Sequence, residues 1–332
     1  MEGMKLEDFV GNQPIVHLMR NGHLPPAGLF TGLDGIGKKT LALSLAALAN
    51  CKDSRGQDLC GKCSSCLKAA AGHHPDIRLF EPQKGSLKIE TMRELNREVR
   101  FRPFEGRFRF FIIDQAETMT EAAANSILKT IEEPPDSSRI ILVTAFPYQL
   151  LPTIRSRCQI FPFHPLSQKE ILAYLRDQGS IGDLEMIAAY SEGSIGRALQ
   201  LDLEETLEAR DLMLELLSSW CAHQSFKAVF QKCEQSPLKT DLKNRERVLR
   251  YLDLLQVLGE DLYFIYVDTP HRVTNRDRIE ELGQLSQALG LNWMRSFLYH
   301  VGQSKWEVNH YVNPLMCFET LWIMSRTGTP NA

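Results

Sequence analysis

Gly32-Leu33-Asp34-Gly35-Ile36-Gly37-Lys38-Lys39-Thr40 is preceded by an apolar run, Ala27 to Thr31, and followed by an alanine- and leucine-rich segment, Leu41 to Ala49. An apolar strand feeding a glycine-rich turn that opens into a helix is the layout of a phosphate-binding loop, whose backbone N–H groups surround an anion at the helix N-terminus. In that reading Gly32, Gly35 and Gly37 let the backbone curl, and Lys38 reaches the β and γ oxygens of a nucleotide. The pattern asks for Ser or Thr directly after the lysine to hold Mg²⁺, but Lys39 stands there and Thr40 comes one residue late. A phosphate nest with a damaged metal site is expected. The plainer alternative is a tight strand-to-helix turn with no ligand; the strand and helix on either side favour the phosphate loop.

Around this loop the pattern alternates. A short helix is expected within residues 10–26, ending at Pro25-Pro26, before the first strand. Four further strands are expected at Asp76 to Pro82, Arg107 to Asp114, Ser138 to Ala145 and Cys158 to Phe163, with helical segments Ile89 to Val99 and Glu121 to Glu133 between them. Strand-helix alternation implies a parallel sheet with helices on both faces and ligands at the C-terminal strand ends. After Pro165 the strand signals fade. Ser167 to Gln178 reads as a capped helix and Leu184 to Ala189 starts another, leading to the Gly193-Ser194-Ile195-Gly196-Arg197 turn and a third helical piece. From about 208 onward the chain is helical again, with Val248, Tyr251, Leu252, Leu255, Leu258, Leu262 and Ile265 on one face. The expected fold class is α/β followed by all-α, divided into residues 1–166, a small helical unit 167–207 and a helical domain 208–332.

The chain has 332 residues, 43% of them hydrophobic and 24% charged, which is ordinary globular composition. Its formal net charge of −3 argues against coating nucleic acid with the whole surface, so any DNA contact is local or shared. The apolar runs are strand-length or broken by charges, and Met1 to Asp8 lacks a signal-peptide apolar stretch, so a cytoplasmic protein without membrane attachment is expected.

In such a compartment the 8 cysteines are thiols or metal ligands rather than disulfides. Cys51, Cys60, Cys63 and Cys66 follow the loop helix with spacing C-x8-C-x2-C-x2-C, and Gly61 permits a tight turn after Cys60. Four thiolates on short loops can close a tetrahedral Zn²⁺ site with no open position, which makes it structural. Unrelated surface thiols are the alternative. His73 and His74 are expected on a surface loop rather than as ligands, and Cys158, Cys221 and Cys233 in the core.

Phe110-Phe111-Ile112-Ile113-Asp114 is an apolar strand ending in an acid, as in sites where the aspartate orients Mg²⁺ and its water. A hydrolytic site would follow it with a second carboxylate to polarise the attacking water. Gln115 occupies that position, and an amide cannot take the proton. Glu117 lies three residues beyond Asp114 and would point elsewhere. The alternative is a buried strand whose Asp114 caps the next turn.

These residues, together with Phe9-Val10-Gly11-Asn12-Gln13, Ala122 to Pro135 (AAANSILKTIEEPP), Leu150 to Gln159 (LLPTIRSRCQ) and Gly193 to Leu199, give a chain that resembles the clamp-loader subunits of bacterial DNA polymerase III. The resemblance spans most of residues 9–163 and weakens beyond about 210. It implies an AAA+ nucleotide-binding domain with a zinc module at 51–66, a helical lid and a C-terminal collar that oligomerises. It further implies a hetero-pentamer with gamma or tau motor subunits and delta, which loads the β sliding clamp on primed DNA. Ser156-Arg157-Cys158 matches the family's arginine-finger motif, in which Arg157 crosses to a neighbouring motor and stabilises the charge on its γ-phosphate. Such fingers contribute roughly 10³ to 10⁵ in rate. On residue chemistry alone Arg157 reads as a solvated loop arginine.

Three departures point to a non-hydrolysing member: Lys39, Gln115, and a lid motif whose Arg197 is displaced by one residue, about a 100° rotation on a helix. Weak ATP or ADP binding through Gly35, Gly37 and Lys38 stays open. One rival reading is an active clamp-loader ATPase in which Thr40 and Glu117 substitute for the missing groups; another is an independent zinc-containing nucleic-acid-binding protein. Lys88, Arg93, Arg97, Arg100 and Arg102 read as a solvated face before a DNA-facing one. Phe318, Leu321, Trp322 and Met324 are either collar contacts or core. No carboxylate constellation for nucleotidyl transfer is present, so polymerase chemistry belongs to other chains.

Overall fold

The computed structural model describes residues 5–53, 58–223, 226–235, 238–309 and 312–325. The chain divides into two compact units, Met1–Gln200 and Leu201–Ala332.

The first unit is built on strands β1 (Ala27–Thr31), β2 (Ile77–Phe80), β3 (Arg109–Ile113), β4 (Ser138–Thr144) and β5 (Gln159–Pro162). They form one parallel sheet in the order β2-β3-β4-β1-β5, with Leu29 level with Leu142 on one side and Ile160 on the other. The five expected strands are therefore the five observed ones, β1 with the same bounds and the other four slightly shorter. Side chains alternate across a sheet, so an all-apolar strand must be covered on both faces. Phe110 and Ile112 of β3 enter a layer with Phe30, Leu41 and Leu45, whereas Phe111 and Ile113 enter the opposite layer with Met92, Leu95 and Ile127.

The first layer holds α1 (Gln13–Arg20) and α2 (Lys38–Ala49); the second holds α4 (Ile89–Glu98), α5 (Glu121–Ser126), α6 (Leu128–Glu132) and α7 (Pro152–Arg155), while α3 (Ser64–Ala70) lies within the cysteine segment. The single helix expected over Glu121 to Glu133 is instead split at Ile127. Ser126 Oγ donates to the Ala123 carbonyl at 2.7 Å, a local bond that competes with the helical ladder. Asp76, fully buried just before β2, accepts the backbone N–H groups of Phe104, Glu105 and Gly106 at 2.6, 2.9 and 2.8 Å. Burial would raise its pKa, but those three donors outweigh it and hold the carboxyl below the usual carboxylate value. The unit ends in α8 (Gln168–Asp177), α9 (Leu184–Tyr190) and α10 (Ile195–Gln200), and α8 opens with a capping box between Ser167 and Glu170.

The second unit contains α11 (Leu203–His223), α12 (Phe226–Gln235), α13 (Leu238–Asp241), α14 (Arg245–Tyr266), α15 (Ile279–Asn309) and α16 (Pro314–Met324). The expected α14 face is buried at Val248, Tyr251, Leu252, Leu255, Leu258 and Leu262, and half-buried at Ile265. Trp220, Trp293, Phe297 and Trp322 build an aromatic centre, with Trp293 stacked on Phe297 at 4.7 Å between centroids. Phe318, Leu321 and Trp322 are core, while Met324 is 43% exposed. The helix α15 is interrupted at Gly290, whose φ of 75° is open to glycine. Of the cysteines expected in the core, Cys233 is buried, but Cys158 and Cys221 are only half-buried. No helix among the described residues is long and apolar enough to cross a membrane.

Candidate functional site

The loop leaves the C-terminal end of β1 and winds into α2 with Gly32, Gly35 and Gly37 all at positive φ. Lys38 is only 5% exposed, and its ammonium turns back onto the loop, donating to the carbonyls of Gly32 (2.7 Å) and Leu33. Burial holds the Lys38 pKa below the ordinary lysine value.

Lys39 leaves the same helical turn toward the end of β3. Its Nζ is 3.1 Å from Asp114 Oδ2 and is also bonded to Glu81. Burial would depress its pKa, but the two carboxylates prevail and raise it. The acid that sequence reasoning assigned to a metal is thus paired with a lysine. Glu81, just past β2, was not anticipated as part of this group; only the adjacency of β2 to β3 brings it there. Gln115, exposed and in the left-handed region with φ 48°, lines a cavity of about 430 Å³ together with Lys38, Lys39 and Asp114. Phe9, Thr40 and Tyr174 also line it. The negative charge of Glu117 acts on Lys38 and opposes the effect of burial there, so this carboxylate stays close to the loop lysine; its Oε2 is buried with no hydrogen-bond partner among the described residues.

Segment 194–196 closes directly on the loop. Ser194 Oγ donates to the Asp34 carbonyl at 2.8 Å, and Gly196 N–H donates to the Gly35 carbonyl at 2.9 Å. A Cβ on Gly196 would lie 2.8 Å from Gly35 Cα, so this approach needs glycine on both sides. Arg197 is not part of the cavity wall. Its Nη1 donates to Glu192 Oε2 at 2.7 Å.

Arg157 follows α7. Its Nε donates to Glu132 Oε2 at 2.7 Å and its Nη1 to the Thr153 carbonyl at 3.2 Å. The exposed Lys88, Arg93, Arg97, Arg100 and Arg102 all face solvent.

Cys51, Cys60, Cys63 and Cys66 converge with all four sulfurs within 4.8 Å of one another. The Cys51–Cys63 and Cys60–Cys66 sulfur separations are both 4.0 Å. Tetrahedral thiolates around zinc at ~2.3 Å stand about 3.8 Å apart, so the donor set fits such an ion. Burial would push Cys63 up, yet the N–H groups of Cys66 and Lys52 and the neighbouring thiols bring it down to about 6, favourable for a thiolate ligand. His73 is exposed as expected. His74 is not: its side chain is buried and its Nε2 lies 2.9 Å from Ser65 Oγ, while its Nδ1 accepts from the Asp76 N–H at 3.1 Å. Ser65 in turn donates to the Asn50 carbonyl, so the imidazole is neutral with its proton on Nε2. It braces the cysteine segment against β2 instead of standing in a surface loop.

Residues 12–167 match the family described as "DNA polymerase III, delta subunit". Over 306 residues, 92% of each chain, the protein is 28% identical to DNA polymerase III subunit delta' of Bacillus subtilis (strain 168). It is 31% identical to subunit delta' of Escherichia coli (strain K12) over 57% of this chain and 58% of that one. It is also 29% identical to subunit gamma of Buchnera aphidicola subsp. Baizongia pistaciae (strain Bp), over 80% of this chain and 75% of that one. Delta' and gamma relatives are thus about equally similar to it. A parallel phosphate-loop domain with an acid-ended third strand is thus carried on a sequence that is similar, along most of its length, to delta' and gamma subunits of DNA polymerase III.

Proposed function

We propose that this chain is a delta'-type clamp-loader subunit that hydrolyses no nucleotide itself and lends Arg157 to an adjacent gamma or tau motor. The observation that supports this most strongly is the Lys39 ammonium against Asp114 and Glu81. A cation covalently fixed beside that carboxylate competes with Mg²⁺ for it, and Gln115 offers no base to the attacking water. The cavity beside the loop leaves room for ATP or ADP, but this reading assigns no turnover to it. Zn²⁺ bound by Cys51, Cys60, Cys63 and Cys66 serves as a structural ion that ties the segment after α2 together.

In this reading residues 1–166 are the AAA+ domain, 167–207 the lid and 208–332 the collar. The partners are motor subunits and delta in a hetero-pentamer, with the β clamp and primed DNA engaged by the assembly, in the cytoplasm. Polymerase activity lies in other chains.

The test is ATP hydrolysis by the purified chain and by the complex reconstituted with motor subunits, clamp and primed DNA. No turnover is expected from the chain alone. In the complex, Arg157→Ala should lower kcat by roughly 10³-fold or more. Turnover by the chain alone would make it a motor instead, and an unchanged kcat in the Arg157→Ala complex would remove the finger.

A further inference from the structure

We infer that Glu132 is the positioning residue for Arg157, an inference that rests on Arg157 acting on a neighbour's phosphate. A guanidinium carries five N–H groups in a rigid plane, and its use in trans depends on where that plane is aimed. Here the backbone beneath it is fixed first: the Arg157 N–H donates to the Ile154 carbonyl at 3.1 Å, and the next residue, Cys158, packs against the core layer under β4. The side chain is then held at two points. Nε–H is taken by Glu132 at 2.7 Å, and Nη1 by the Thr153 carbonyl of its own helical turn at 3.2 Å.

Nη2 has no partner among the described residues, and the side chain is 34% exposed. The Glu132 and Thr153 contacts use Nε–H and one of the two Nη1 protons, so both Nη2 protons and the second Nη1 proton remain to receive two oxygens of a phosphoryl group. Glu132 reaches this position because α6, separated from α5 by the break at Ile127, ends at that residue. Glu132 is itself 54% exposed, so the pair adds little to the fold; its effect is to reduce the orientations that Arg157 samples before it meets a phosphate.

The experiment uses the reconstituted complex with motor subunits, clamp and primed DNA. It measures kcat and KM for ATP for wild type, Glu132→Ala, Glu132→Gln, Arg157→Ala and the double variant Glu132→Ala/Arg157→Ala. Glu132→Ala is expected to lower kcat about tenfold with KM unchanged, because orientation rather than binding is lost. Glu132→Gln, whose amide oxygen still accepts from Nε, should recover most of that activity. The double variant should be no slower than Arg157→Ala alone, since both act through one group. Wild-type kcat in Glu132→Ala alongside an impaired Arg157→Ala would overturn the positioning role and leave the finger standing. An equal loss in the Ala and Gln variants would also overturn it. Unimpaired Arg157→Ala would remove the finger reading itself, and the positioning role with it.

Discussion

The ammonium of Lys39 lies 3.1 Å from Oδ2 of Asp114, so the acid at the end of β3 already has a cation, supplied by the first turn of α2. The pair is completed by Glu81, and the three side chains join the ends of two adjacent strands to the phosphate loop.

Lys39→Thr removes that cation and restores a hydroxyl directly after Lys38. Asp114 is then released to a divalent ion, so the variant should bind a fluorescent ATP analogue at least about tenfold more tightly with Mg²⁺ than in EDTA, a difference near 1.4 kcal/mol. Hydrolysis should stay absent because Gln115 is unchanged. The folding cost should be about 1 kcal/mol or less, as expected for a partly exposed pair. Equal affinity with and without Mg²⁺ would show that Lys39 is not what excludes the metal.

Cys63→Ser removes one of four converging sulfurs. The wild-type chain should carry one equivalent of zinc by elemental analysis, and the variant much less, with a melting temperature lower by several degrees. A variant that keeps its full equivalent would disprove the four-thiolate site.

His74 makes stability depend on pH. Burial lowers its pKa, so the folded chain resists a proton that the unfolded chain accepts below about pH 6.5. Its contribution is complete above that pH and is lost as pH falls toward the depressed folded value. Urea unfolding at pH 7.5, 6.5 and 5.5 should show falling stability, and His74→Gln should flatten the slope, which separates the imidazole from acid release of a bound ion. An unflattened slope in the variant would assign the effect to other groups.

Much of the first unit is legible in the sequence because its strands are uninterrupted apolar runs. Phe110 to Ile113 can only be a strand covered on both faces, and the run from Ala27 into Gly32 can only open a strand-to-helix turn. The four cysteines are likewise readable, since ligand chemistry is carried by residue type and spacing. The pairings made across the fold are not. Nothing around Glu81 marks it as a partner of Lys39; the parallel adjacency of β2 and β3 brings them together. Lys38 reads as a phosphate ligand, and only the path of the loop reveals that its ammonium reaches the carbonyls of Gly32 and Leu33. His74 looks like a loop residue because it follows another histidine near a glycine, yet Ser65 and the Asp76 backbone enclose it. The split at Ile127 escapes periodicity because it arises from one hydroxyl, Ser126, bonding within its own turn.

The contact between Gly35 and Gly196 has a mechanical consequence. The helices after Pro165 are attached to the phosphate loop by the protein's own bonds, from Ser194 to the Asp34 carbonyl and from Gly196 to the Gly35 carbonyl. A joint held this way needs no ligand to bridge it. A push on α10 is therefore passed through these hydrogen bonds to the turn between β1 and α2, at the C-terminal edge of the sheet.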